Sequence, residues 1–167
     1  MDNYFIDEEF QSIIEPIMKN KEFQKLKTVS HHGISRLHHS LRVAYFSYKV
    51  SKKLHLEYKE TTEAALLHDF FVDEVDDENV LLKLRRHPEH AVENATKHFD
   101  LTDRQKDIIR THMFPITFTP PKYIESWIVD IVDDCSAVYE RYHSLRKEMR
   151  AATTFMFIVL INIIRMR

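Results

Sequence analysis

Apolar positions along this chain recur three and four residues apart, the period of helices packed on one side. In the first such segment Phe10, Ile13, Ile14 and Ile17 share a face, behind a cap and acidic first turn at Asp7-Glu8-Glu9. Pro16 interrupts that segment and is expected to kink or divide it. Ser30-His31-His32-Gly33-Ile34 reads as a turn. A second helix is expected from about Arg36 to Leu54, with Leu37, Leu41, Ala44, Tyr45 and Tyr48 along one face. A third runs from about Thr61 to Leu67 and ends on the adjacent pair His68-Asp69.

Beyond that pair, Asp73 to Glu78 is an acidic stretch expected to be a solvated connector. A short helix is expected from Asn79 to Arg85, and Pro88 suits the first turn of another that reaches about His98. Thr102-Asp103-Arg104-Gln105 has the spacing of a capping box for a helix to about Met113. Pro115, Pro120 and Pro121 enforce a loop, after which a long helix is expected from about Tyr123 to Met149 and a last one from Ala152 to Ile164. No alternating run bounded by turn residues competes with these helices, and no repeat or linker divides the chain. The expectation is one all-α domain over residues 1–167, a bundle of roughly six to eight helices.

Composition sharpens this picture at three points. A single glycine, Gly33, among 167 residues suits helices better than a sheet of tight hairpins. A net charge of −2 gives no basic field, so nucleic acid is not an expected partner. The single cysteine, Cys135, excludes an intrachain disulfide and a multi-cysteine zinc site, and fits a reducing cytoplasm. The segment Met1-Asp2-Asn3-Tyr4-Phe5 has no basic region followed by an apolar core, so no secretory signal is read.

Histidine occurs 11 times, and several copies stand where a core helix has no need of them. His39 lies inside the amphipathic second helix, His68 and Asp69 close the third, His87 precedes Pro88, and His112 ends the capped helix. Asp133 stands in the apolar run Trp127 to Val132. Burying such groups unpaired costs several kcal/mol, by the order of magnitude for polar groups without partners. A divalent metal would resolve that cost, because neutral imidazole and carboxylate suit Mn, Fe, Co, Ni or Zn. Adjacent helical residues point about 100° apart, so His68 and Asp69 share a site most easily where the helix stops. A carboxylate has two oxygens, so Asp69 could bridge two ions.

The order His39, His68-Asp69, His87, His112, Asp133 resembles the HD-domain metal-dependent phosphohydrolase superfamily. The local contexts agree: His39-Ser40-Leu41-Arg42-Val43-Ala44, Leu66-Leu67-His68-Asp69, His87-Pro88 and Ile128-Val129-Asp130-Ile131-Val132-Asp133. The resemblance covers about residues 30–145. It implies that His39, His68, Asp69 and Asp133 hold a first metal, with His87 and His112 as the extra histidines of members that hold a second. Such a pair activates water as hydroxide and stabilises charge on phosphoryl oxygens. The expected activity is hydrolysis of a nucleotide or other small phosphate ester, and the expected location is cytoplasmic.

The sequence also departs from the family. Many members read His-Asp-Ile-Gly-Lys, whereas this chain reads His68-Asp69-Phe70-Phe71-Val72, without the glycine and lysine. The signatures of the cyclic-dinucleotide branch are absent. These departures keep open a catalytically silent reading, an HD-fold protein that binds metal or nucleotide without turnover. Arg42, one turn from His39, could reach a phosphate or form a salt bridge, and Arg36 is placed similarly. Asp73 is a candidate acid or base or simply the start of the acidic stretch. Asp130 or Asp134 could take the place of Asp133. His31, His32 and His38 are candidates for a supporting role, while His55, His90, His98 and His143 are expected on exposed faces. Residues 152–164 are too short an apolar run to span a membrane, which takes about 20 residues. They are expected to pack on the domain, on a second subunit, or against lipid headgroups.

Overall fold

The computed structural model describes residues 6–31, 34–71 and 79–165. Seven α-helices run through them: α1 Glu8–Met18, α2 Lys21–Gln24, α3 Arg36–Lys53, α4 Tyr58–Leu67, α5 Val80–His98, α6 Asp103–Thr111 and α7 Ile124–Arg165. A 3-10 turn, Lys25–Lys27, leads into two antiparallel two-residue strands, β1 Ser30–His31 and β2 Ile34–Ser35, which pair Ser30 with Ser35 and His31 with Ile34. The architecture is all-α, as the periodicity implies. The centre of the expected turn, residues 32–33, and the acidic stretch lie outside the described residues.

Local chemistry sets most helix starts. The Asp7 carboxylate accepts from the Phe10 N–H at 3.1 Å, and Asn20 caps α2 through the N–H groups of Glu22 and Phe23. Ser35 caps α3. At α6 the capping box is complete: Thr102 Oγ1 accepts from the Gln105 N–H at 3.2 Å, and Gln105 Oε1 accepts from the Thr102 N–H at 2.9 Å.

Two expected boundaries are absent. The segments before and after Pro88 form one helix, Val80–His98, with the proline inside it. Proline removes one N–H donor, but its φ is itself helical, and the face formed by Ala91, Val92 and Ala95 is buried in the core. Likewise the two expected C-terminal helices are one 42-residue helix, Ile124–Arg165. No glycine or proline lies between Lys122 and Arg167, and Met149-Arg150-Ala151-Ala152 consists of strong helix formers. Pro16 also sits inside an unbroken α1.

The core lies between α3, α4 and α6, with α1 and the first half of α7 closing it. Phe10, Ile14, Leu26, Val43, Leu66, Ile108 and Val129 are almost wholly excluded from solvent. Ala44, Ala64 and Ala65 are completely buried, and their small side chains let α3 and α4 approach closely. That approach brings His39 on α3 beside the end of α4.

Candidate metal centre

The adjacency of His68 and Asp69 follows from where α4 stops. His68 is the C-cap residue, and its ring turns back so that Nδ1 lies 2.7 Å from the carbonyl oxygen of Ala65. A carbonyl only accepts, so Nδ1 carries the proton and, in the neutral ring, Nε2 presents a lone pair. His112 repeats the arrangement at the end of α6, with Nδ1 at 2.7 Å from the Ile109 oxygen. Each helix thus uses a terminal carbonyl, which has no partner within its own helix, to orient an imidazole. Nε2 of His68 is buried with no hydrogen-bond partner. Nε2 of His112 lies 2.8 Å from Nε2 of His87, which α5 supplies.

Asp69 stands between these rings. Its Oδ1 is 3.6 Å from His87 Nε2 and 3.8 Å from His112 Nε2. Its Oδ2 is 3.8 Å from His68 Nε2 and 3.9 Å from Arg36 Nε. Beyond Asp69 the backbone bends, with the Phe70 N–H donating to Leu67 and the Phe71 N–H to Asp69. Phe70 goes into the core against Phe23 and Phe99. Phe71 walls the site, its ring 5.5 Å from that of His87 and covered by the Arg36 guanidinium at 3.9 Å. Arg36 also donates to the Phe71 carbonyl at 2.6 Å.

The remaining wall comes from α3 and α7. His39 Nε2 lies 2.8 Å from Asp133 Oδ1, and its Nδ1 lies 3.0 Å from Glu140 Oε2. Asp133 and Glu140 are seven residues apart, two turns along one face of α7. Arg42 donates to the other Glu140 oxygen at 2.7 Å, one turn along α3 from His39. Asp133 Oδ1 is also 3.6 Å from His68 Nε2.

The electrostatics mark this as a place that attracts positive charge. Burial opposes a proton on His39, but the hydrogen bonds to Asp133 and Glu140 outweigh it and raise its pKa to about 10. Burial likewise opposes a charged His68, but Asp69 and Asp133 outweigh it and push its pKa up. The same burial would raise the Asp69 and Asp133 carboxyls, yet the neighbouring imidazoles, His68 foremost, hold both well below the usual range. His87 behaves oppositely: burial first, and then the facing His112 ring, lower it to about 3. Burial and the His68 ring also lower His112.

These side chains suit a metal. Three sets, His39/His68/Asp69, His68/His112/Asp133 and Asp69/His87/His112, each offer one donor atom per residue within 4.8 Å of one another. Donors at about 2.1 Å from a single ion lie within about 4.2 Å of each other, so small movements would close any of the three. The buried, unpartnered Nε2 of His68 is what such an ion would satisfy. Nitrogen and oxygen donors without thiolates accept Mn, Fe, Co, Ni or Zn.

All six residues expected to hold metal therefore meet in one place. Among the three neighbouring aspartates, Asp133 is the one in contact with His39 and His68; Asp134 is exposed, and Asp130 is buried outside the three donor sets. Arg42 takes the salt-bridge option, with Glu140 as its partner. Asp73 and His32 lie outside the described residues. His38 is half-buried, and His55, His90, His98 and His143 are exposed. Sequence reasoning missed Glu140, whose signal is its two-turn spacing from Asp133. It also missed Asp107, buried on α6, which accepts from the Lys122 N–H and the Ser126 hydroxyl and ties the loop after His112 to α7.

The fold and cluster together define an all-helical domain around a buried histidine–aspartate centre. The family model described as HD domain matches residues 36–138, more than half of the chain and all six clustered ligand-type residues. The chain belongs to the HD domain family, within the metal-dependent phosphohydrolase superfamily. No curated protein and no solved structure matches it in the same comparisons. None of the described helices is long and apolar enough to cross a membrane.

Proposed function

We propose that this protein is a two-metal phosphohydrolase acting on a small phosphate ester, with nucleotides as the leading class. The observation that carries the reading is the split of Asp69: one oxygen faces His87 and His112, the other faces His68. A carboxylate so placed can serve two ions at once. His39, His68, Asp69 and Asp133 would hold the first, and His87, His112 and Asp69 the second.

When bound, the metal pair supplies Lewis-acid activation of water and neutralisation of charge on phosphoryl oxygens. The chain's own groups position that chemistry. Glu140 accepts the Nδ1 proton of His39 and so turns the Nε2 lone pair toward the centre, as a carboxylate behind a ligating histidine does. Arg42 donates to the other Glu140 oxygen and holds that carboxylate in place. The carbonyls of Ala65 and Ile109 fix His68 and His112 in the same tautomer. Phe71 covers one side, where it limits water and holds Arg36 close to Asp69.

The test pairs elemental analysis of protein purified without chelator with turnover of generic phosphomonoesters and phosphodiesters in Mn or Co. About two ions per chain and turnover that vanishes in Asp69→Asn are expected. Metal without turnover on any phosphate ester would leave a metal-binding module. No metal after addition of Mn, Fe, Co or Zn would overturn the reading.

A further inference from the structure

The long helix α7 leads two lives. Up to Glu140 its inner face is buried in the domain, through Ser126, Val129, Asp130, Asp133 and Ser136. From Arg141 onward none of its described residues is buried, yet the helix continues to Arg165. At 1.5 Å per residue, the stretch from Arg141 to Met156 is about 24 Å of helix in which no described residue is buried. Helices in water draw most of their stability from a packed apolar face.

Such a face exists, and it is heptad-spaced. Ile131, Cys135, Val138, Tyr142, Leu145, Met149, Ala152 and Met156 follow one another at strictly alternating steps of four and three residues. Ile131 is 57% exposed, Val138 71%, Tyr142 59%, Leu145 45%, Met149 70% and Met156 63%, and Cys135 is exposed too. The sequence continues the same steps at Val159 and Ile163. A contiguous apolar seam of this length marks an interaction surface, and a 3.5-residue period marks a helical partner. Most of the seam lies past residue 138, where the family match ends.

The geometry points to a second copy of this chain, with the two α7 helices antiparallel. We propose a register that pairs Tyr142 with Leu145, Val138 with Met149, Cys135 with Ala152 and Ile131 with Met156 of the other copy. The seam is then self-complementary, as a two-fold interface requires. The flanking charges select the direction. In the antiparallel register Arg141 lies beside Glu148 of the other copy, and the pair occurs twice. In a parallel pair Arg141 would instead meet Arg146, a like-charge clash at the positions that set orientation. The antiparallel register also lays each projecting half of α7 along the other copy's exposed Ile131–Val138 face.

Sedimentation of the full-length protein tests this. Wild type is expected at twice the chain mass at micromolar concentration, and Tyr142→Glu/Leu145→Glu at the chain mass. An unchanged helical circular-dichroism signal and melting transition show that the variant still folds, so the outcome is independent of metal binding and of turnover. Oxidation tests the direction. Ala152→Cys should give a disulfide-linked dimer through Cys135, whereas wild type should not, because antiparallel Cys135 residues lie about 25 Å apart along the axis. A monomeric wild type would overturn the proposal, and its co-sedimentation with anionic phosphatidylserine vesicles would hand the seam to lipid. A dimer that survives the double glutamate variant, or a wild-type Cys135–Cys135 link, would overturn the seam or its direction.

Discussion

The two halves of the metal centre are built on opposite electrostatic plans. His39, His68, Asp69 and Asp133 form a half in which carboxylates and imidazoles balance one another, backed by Glu140 and Arg42. His87 and His112 form a half of two neutral rings with nitrogens 2.8 Å apart, kept neutral by burial. The first half raises the pKa of its histidines and the second lowers it. The first can therefore hold a proton on His39, between Asp133 and Glu140, when no metal is bound. In the second, the pull of Asp69 and Asp133 does not offset burial. Under the two-metal proposal, the tighter ion would sit in the carboxylate-rich half and the more exchangeable one between the histidine pair.

The most severe way to break that contrast is Asp69→Asn, since Asp69 belongs to both halves. Elemental analysis should then find little metal. Hydrolysis should fall by on the order of a thousandfold or more, given the several kcal/mol that metal ions contribute to such transition states. Next in size, His112→Ala should remove one ion of about two, and the one that remains should exchange slowly with chelator. Loss of both ions in that variant would show the halves to be inseparable. A smaller effect is expected for Glu140→Gln, which keeps the shape but weakens the acceptor behind His39. Metal affinity measured by chelator competition should drop by about 10- to 100-fold, as for other groups behind a ligating histidine.

The mildest test is the pH dependence of thermal unfolding in chelator. His87 has a folded pKa depressed from 6.5 to about 3, so its contribution is present above pH 6.5 and is lost as the pH falls toward 3. His39 has a folded pKa raised from 6.5 to about 10, so its contribution is present below pH 6.5 and is lost as the pH rises through 10. Stability should peak near pH 6.5, with each arm sloping by about 1.4 kcal/mol per pH unit for each proton involved. Added metal should flatten the alkaline arm, because an ion on His39 Nε2 takes the place of that proton. A single monotonic arm would show that the two halves do not titrate oppositely.

Much of this centre was legible before any fold was known. The donor residues were visible as polar groups beside apolar helical runs or at helix ends: His39 within α3, His68 and His112 at helix ends, Asp133 after Ile131-Val132. The capping box at Thr102 and the cap at Asp7 were legible because they involve partners three residues apart. The boundary expected at Pro88 failed because a local rule about one missing donor competed with a buried apolar face and lost. The break expected after Met149 had no breaker residue behind it. Glu140 escaped notice because a glutamate on a charged helix reads as solvated, and only its partner on α3 shows otherwise.

By itself, then, the sequence determined the helical class, the caps and the identities of the six ligand-type residues. Periodicity, capping and donor chemistry are properties of neighbours along the chain. The tertiary structure alone decided that His39 and Glu140, 101 residues apart, share a hydrogen bond. It also decided that the two oxygens of Asp69 face different histidines and that Arg42 serves Glu140. Each of these depends on how close and at what angle α3, α4, α5 and α7 pack, which summed burial over the whole core sets and no local motif encodes.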